Sequence, residues 1–205
     1  ARLEERGDSS ALQKRHAAFF RSQVEPTIRG MPAEQKRRWL DQVNLDYENF
    51  RTAMAWSLDN EPRDLSLRIL SGLRLFWVLR GAYVLDSLVW AQRMLDGADE
   101  VDPTLRSRAM IILADELRRQ GKLDQALAAS TEAVEIAESS SEGGEDLVDA
   151  LLVRAEVGLR RKGDAVEHYM DRALQLSREL AYREGEAVAL HDRGLLYLCR
   201  GSSEA

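Results

Sequence analysis

His168 and Asp171 stand three residues apart, so on a helix they share a face, and His191 directly precedes Asp192. A metal site could begin with either pair. A metal ion needs three or four converging ligands, and no third ligand follows at a fitting spacing. Both pairs therefore read as hydrogen-bonding groups on helix surfaces. The single cysteine, Cys199, falls near the C-terminal end of a helical stretch. The helix dipole disfavours a thiolate there, so Cys199 reads as a small buried hydrophobe rather than a redox centre. Trp39, Trp56, Trp77 and Trp90 could line a ligand cage, but aromatics at helical spacing usually pack a core. Phosphate-loop, dinucleotide-fold, zinc-protease, Cys-x-x-Cys and nucleophile-elbow patterns do not occur. No nucleophile–base pair can be assembled, so the chain is expected not to be an enzyme and to need no cofactor or metal.

Arginine remains as the residue with chemical potential. Arg118, Arg119, Arg160 and Arg161 fall at helix ends, and Arg68 and Arg108 in earlier turns. The plain reading is solvated faces and cations matched to the negative ends of helix dipoles. The sharper reading is a set of donors for charge-assisted bonds to acidic peptide groups.

The composition limits the partners. Among 205 residues, 44% are hydrophobic and 31% charged, enough to bury a substantial core or a stack of smaller ones. The net charge of −6 lacks the basic bias of a nucleic-acid-binding domain, so direct DNA binding by this segment is not expected. One cysteine suits a reducing compartment, and a cytoplasmic location is expected. There is no run of about eighteen apolar residues, so no membrane span is expected.

The elements that must position these side chains are all helical. Leu, Ala, Arg and Glu dominate, alternating β-branched runs are missing, and no proline lies beyond Pro103. A first helix is expected over 10–25, with Leu12, His16, Phe19, Phe20 and Gln23 on its buried side and Pro26 closing it. A second begins near Pro32 and runs toward Pro62, with a break around Val43 to Asp46 as an alternative. Beyond it Gly81, Gly121, Gly163 and Gly201 recur at separations of 40, 42 and 38 residues, each after a basic helical tail. A basic last turn suits the dipole, and glycine supplies the left-handed residue that ends a helix. Each glycine thus reads as the turn of a helical hairpin, giving pairs 64–80 with 82–96, 104–120 with 122–138, and 145–162 with 164–180. The stretch 182–200 opens a fourth hairpin whose second helix is missing. Residues 139–144 read as a flexible loop between hairpins. A period near forty means a stack of antiparallel hairpins.

Gly121-Lys122-Leu123-Asp124-Gln125-Ala126, followed by Ala133, resembles the turn and second helix of a tetratricopeptide repeat. Gly194 to Tyr197 with Gly201 is similar to the end of a first helix in the same repeat. Glu156 and Arg74 stand where that family places a small residue. The segment from Arg15 to Phe20, Trp39 and Leu40, the stretch from Leu45 to Met54, and Trp56 resemble the linker and repeat region of bacterial STAND regulators. Phe76, Trp77, Trp90, Met94 and Leu95 extend the likeness. Those proteins join an NB-ARC-type nucleotide-binding domain to a helical array, many with a LuxR-type or SARP-type DNA-binding domain.

The resemblance implies an all-α fold, a right-handed superhelical array of tetratricopeptide-like hairpins, with a helical linker or cap over 1–62 and repeats over 63–205. It implies a fragment of a larger regulator, acting as a sensor that binds a partner protein, a peptide, a small inducer or the adjoining nucleotide-binding domain. Oligomerisation and ATP chemistry would belong to the parent. By analogy with such arrays, first helices line a concave groove, into which Arg68, Arg108, Asp115, Arg119, Arg160 and His191 would point. The alternative is a stand-alone adaptor or peptide receptor using the same groove, an arrangement also found in bacterial peptide-pheromone receptors.

Overall fold

The computed structural model describes residues 8–24, 31–60, 63–80, 83–97, 101–140, 144–161 and 165–201. Among them the chain is helical and no strand occurs. It divides into two compact units, Ala1–Val101 and Asp102–Ala205. The boundary expected near residue 62 falls inside the first.

The first unit holds α1 (Asp8–Val24), α2 (Ala33–Leu45), α3 (Tyr47–Asn60), α4 (Arg63–Gly72), α5 (Arg74–Arg80) and α6 (Val84–Leu95). The long helix expected after Pro32 breaks at Asp46, and the one expected over 64–80 is interrupted at Leu73. Helices α1 and α3 pack on α4, and α4 on α6. The core gathers Phe50, Met54, Leu67, Leu70, Phe76, Trp77 and Met94. Trp56, Trp77 and Trp90 are buried, as a packing role requires, and Trp39 is half-buried with its Nε1 donating to the Gln23 carbonyl at 3.0 Å.

The buried side of α1 differs from expectation. Ala17, Phe20 and Val24 face inward, while Leu12 and Phe19 are more than half exposed. Phe20 stacks edge-on against Phe50 with ring centroids 4.9 Å apart. That anchor selects the stripe i, i+3, i+7 through residues 17, 20 and 24. Phe19, one position away, is turned about 100° off it.

The second unit holds α7 (Pro103–Arg119), α8 (Leu123–Ser139), α9 (Gly144–Arg161), α10 (Val166–Glu179) and α11 (Arg183–Gly201). Asp102 caps α7, its Oδ1 accepting from the Thr104 amide at 2.8 Å, and Pro103 occupies the first turn, where its missing N–H costs nothing. Arg118 and Arg119 sit in the last turn. Gly121 then adopts φ +74°, and the Lys122 amide returns to the Leu117 carbonyl at 2.9 Å. This is the left-handed helix stop read from the sequence. Gly81 and Gly163 lie outside the described residues, and Gly201 is the last residue of α11 rather than a turn beyond it. The α10–α11 stop uses Ala181 at φ 53° instead of a glycine. Of the 139–144 segment, 141–143 also lie outside.

Small side chains let these helices approach closely. Ala109, Ala114, Ala126, Ala133, Ala150, Ala155 and Ala173 are fully buried. At Gly158 a Cβ would lie 2.9 Å from Val166 Cγ2, so α9 and α10 meet there only because glycine has none. Each hairpin packs on itself, α7 on α8 and α9 on α10. The first helices also pack on one another, α7 on α9 and α9 on α11. Among the described residues α8 and α10 have marginal contact at most.

Candidate functional site

Consecutive packing of α7, α9 and α11 places their polar residues in one layer. Residues 115, 118 and 119 follow helical spacing, so Asp115, Arg118 and Arg119 share one side of α7. The Asp115 carboxylate is nearly buried and takes both arginines: Arg118 Nη2 bonds one oxygen, and Arg119 Nη2 lies 3.0 Å from the other. Arg118 then reaches across to α9, its Nη2 2.9 Å from Glu156 Oε2. Asp192 of α11 is buried close by, where Glu156 and Arg118 both act on its carboxyl. The result is a ladder, Asp115–Arg118–Glu156–Asp192, crossing all three first helices.

Burial governs the charges on the ladder. It disfavours the Arg118 cation, but Glu156 and Asp115 outweigh it and hold that guanidinium above its ordinary pKa. Asp192 is 5% exposed. Desolvation pushes its carboxyl above the usual range, against the opposing pulls of His191, Glu156 and Arg118. Among the described residues, Asp192 Oδ2 and Arg118 Nε are buried without hydrogen-bond partners.

The sequence-read residues fall into distinct settings. Arg108 forms a two-pronged pair with Asp146 of α9, Nε to Oδ1 at 2.9 Å and Nη2 to Oδ2 at 2.9 Å. Since Asp146 is 3% exposed, Arg108 serves to tie α7 to α9 and its donors are engaged. Asp115 is a buried anchor of the ladder rather than a group presented to solvent. Arg119 and Arg160 are exposed, and Arg160 lies one turn beyond Glu156 on α9. His191 is exposed next to buried Asp192. Arg68 is half-buried on α4 and belongs to the first unit, apart from the other five.

Arg118, Glu156 and Asp192 were not on that list. Glu156 carried the legible signal, since it occupies a position where a small residue is expected. Between α10 and α11 a notch of about 20 Å³ is lined by Glu167, Met170, Asp171, Arg193, Leu196 and Tyr197, room for about one water and no organic ligand. Among the described residues no three His, Cys, Asp or Glu side chains are placed to hold a metal ion, and no helix is long and apolar enough to cross a membrane. The Cys199 side chain lies outside the described residues.

No known family model matches the chain, and no curated protein matches it in sequence.

Proposed function

We propose that the chain is the protein-interaction and sensor module of a larger STAND-type signalling ATPase, a transcriptional regulator, and that α7, α9 and α11 form the face that takes up its partner. The observation supporting this is the first-helix layer. When first helices pack on one another while second helices barely meet, a stack of hairpins curves around its first helices. On this reading the array is superhelical and tetratricopeptide-like, and the layer is its concave side.

The ladder supplies a rigid floor, because Arg118, fixed by Asp115 on its own helix, is also tied to Glu156 of α9. Above it Arg160 and His191 offer exposed donors suited to the acidic groups of a protein or peptide segment, beside Arg119, whose Nε and Nη2 also hold Asp115. Binding there would bias the parent between inactive and active states only by the difference in affinity for the two. Nucleotide chemistry and DNA binding lie in other parts of such a parent.

The test is to delete 102–205 from the intact regulator and follow ATP turnover and DNA occupancy with and without inducer. The proposal expects a changed response. An identical response under both conditions contradicts the sensor role.

A further inference from the structure

Helix α11 is buried along one narrow stripe. Over its described side chains the buried positions are Gly185, Ala189, Asp192 and Leu196. These follow i, i+4, i+7, i+11. At about 100° per residue, the side opposite that stripe carries Ala187, Leu190, Gly194 and Leu198. All four positions are exposed, and so is Tyr197 beside them. The exposed stripe is therefore apolar, with no charged residue among its members.

Gly194 lies at the middle of that stripe, and its residue type is not accounted for by packing within the described chain. At Gly158 and Gly185 a neighbouring side chain already occupies the space a Cβ would need, 2.9 Å and 2.6 Å away. At Gly194 the backbone is helical and, among the described residues, nothing lies within 4 Å of an added Cβ. Glycine inside a helix is unfavourable relative to alanine. On an exposed apolar stripe it suits the close approach of a second backbone from outside the chain.

The stripe also reads alike in both directions from Gly194. Leu190 and Leu198 stand four residues to either side, and the small residues Ala187 and Gly201 seven to either side. Gly201 is the last residue of α11. Two such helices crossing antiparallel, with a two-fold axis at Gly194, set each Leu190 level with Leu198 of the other copy. We propose that α11 is a self-association face, through which two copies of this chain pair antiparallel along Leu190, Gly194 and Leu198 with the glycines at the crossing. A two-fold contact brings the same patch of both copies together, so like charges within it would repel. This stripe has none, although each chain carries a net charge of −6. A helix of another protein would require no such symmetry about Gly194. One helix face is smaller than the about 800 Å² per partner of a standard interface, so the dimer is expected to be weak. The pairing is independent of what α7, α9 and α11 bind together.

The experiment is sedimentation equilibrium of the full chain from low to high micromolar concentration. The wild type should pass from monomer to dimer. Leu190→Lys together with Leu198→Lys should leave it monomeric, with helical content unchanged because both positions are exposed. Gly194→Gln should weaken dimerisation at least about tenfold. Its urea midpoint should hold or rise, because glutamine is the better helix former and has room there. Leu12→Lys, at an exposed site on α1, should leave the dimer as it is. Orientation is read by oxidative cross-linking in a Cys199→Ser background. Gly194→Cys should link to itself, and Leu190→Cys should link to Leu198→Cys faster than to itself. A chain monomeric at every concentration would overturn the proposal and leave the stripe to a helix of another protein. A dimer indifferent to both Gly194→Gln and the lysine pair, or Leu190→Cys linking faster to itself, would overturn it as well.

Discussion

Arg118 Nη2 lies 2.9 Å from Glu156 Oε2, joining α7 to α9 across 38 positions of sequence. Both side chains are largely withdrawn from solvent, at 15% and 25% exposure. Removing one partner of such a pair leaves the other desolvated and unpaired, which costs more than an exposed pair contributes. Arg118→Ala removes the α7–α9 bridge to Glu156 and one of the two arginines on Asp115, and should destabilise the second unit by about 2 kcal/mol. Glu156→Ala leaves Arg118 its Asp115 partner and should cost about 1 kcal/mol. By contrast Glu34→Ala, at an exposed i,i+4 pair with Arg38, should change stability by no more than about 0.5 kcal/mol. Urea unfolding followed by circular dichroism gives all three values. Equal costs for Arg118→Ala and Glu34→Ala would show that the ladder is not structural.

Two glycines of the second unit should respond to alanine for different reasons. At Gly121 nothing lies within 4 Å of an added Cβ, so the cost is the left-handed backbone alone, about 1 kcal/mol. At Gly158 the backbone is helical and alanine is the better helix former, yet its Cβ would meet Val166 Cγ2 at 2.9 Å. Overpacking there should cost about 1–3 kcal/mol. Val166→Ala should therefore relieve part of the Gly158→Ala penalty and none of the Gly121→Ala penalty. A double-mutant cycle measures that coupling directly.

Tyr47 joins three elements of the first unit, donating to Asp86 Oδ2 at 3.0 Å and accepting from Trp77 Nε1 at 3.1 Å. Burial, more than Asp86, pushes its phenol pKa above the ordinary 10.0. The protonated form is thus favoured by folding. Its contribution is intact below about pH 10 and is lost as pH rises beyond that value. All four tryptophans lie in the first unit, so their fluorescence reports its unfolding alone. The urea midpoint should fall between about pH 9 and about pH 11 in the wild type. Tyr47→Phe should lower stability by about 1–2 kcal/mol at neutral pH and remove most of that alkaline slope. A slope unchanged in Tyr47→Phe would assign it to other groups.

Helix positions were legible wherever local chemistry marks an end. The helix expected over 104–120, closed by Gly121 after two arginines, matches α7 to within a residue, and the Asp46 break was among the alternatives. The stripe of α1 was not legible, because His16, Phe19 and Phe20 are adjacent and periodicity alone cannot choose between neighbouring faces. Contact with Phe50, distant in sequence, decides it. The ladder was hidden for a similar reason. Spacing shows that Asp115 and Arg119 share a side of α7, but not that Glu156 and Asp192 arrive from two other helices. Nor does spacing show that Arg108 pairs with Asp146, which happens only once α7 and α9 are stacked.

The central claim is that α7, α9 and α11 form a binding face, and footprinting tests it most directly. A phage-displayed random-peptide library is selected on the full chain, and enriched peptides are mapped by hydrogen exchange. The account predicts protection on these three helices, with binding weakened at least tenfold by Arg119→Glu together with Arg160→Glu, a loss of about 1.4 kcal/mol. Protection confined to α8 and α10, with affinity indifferent to both arginines, would contradict it.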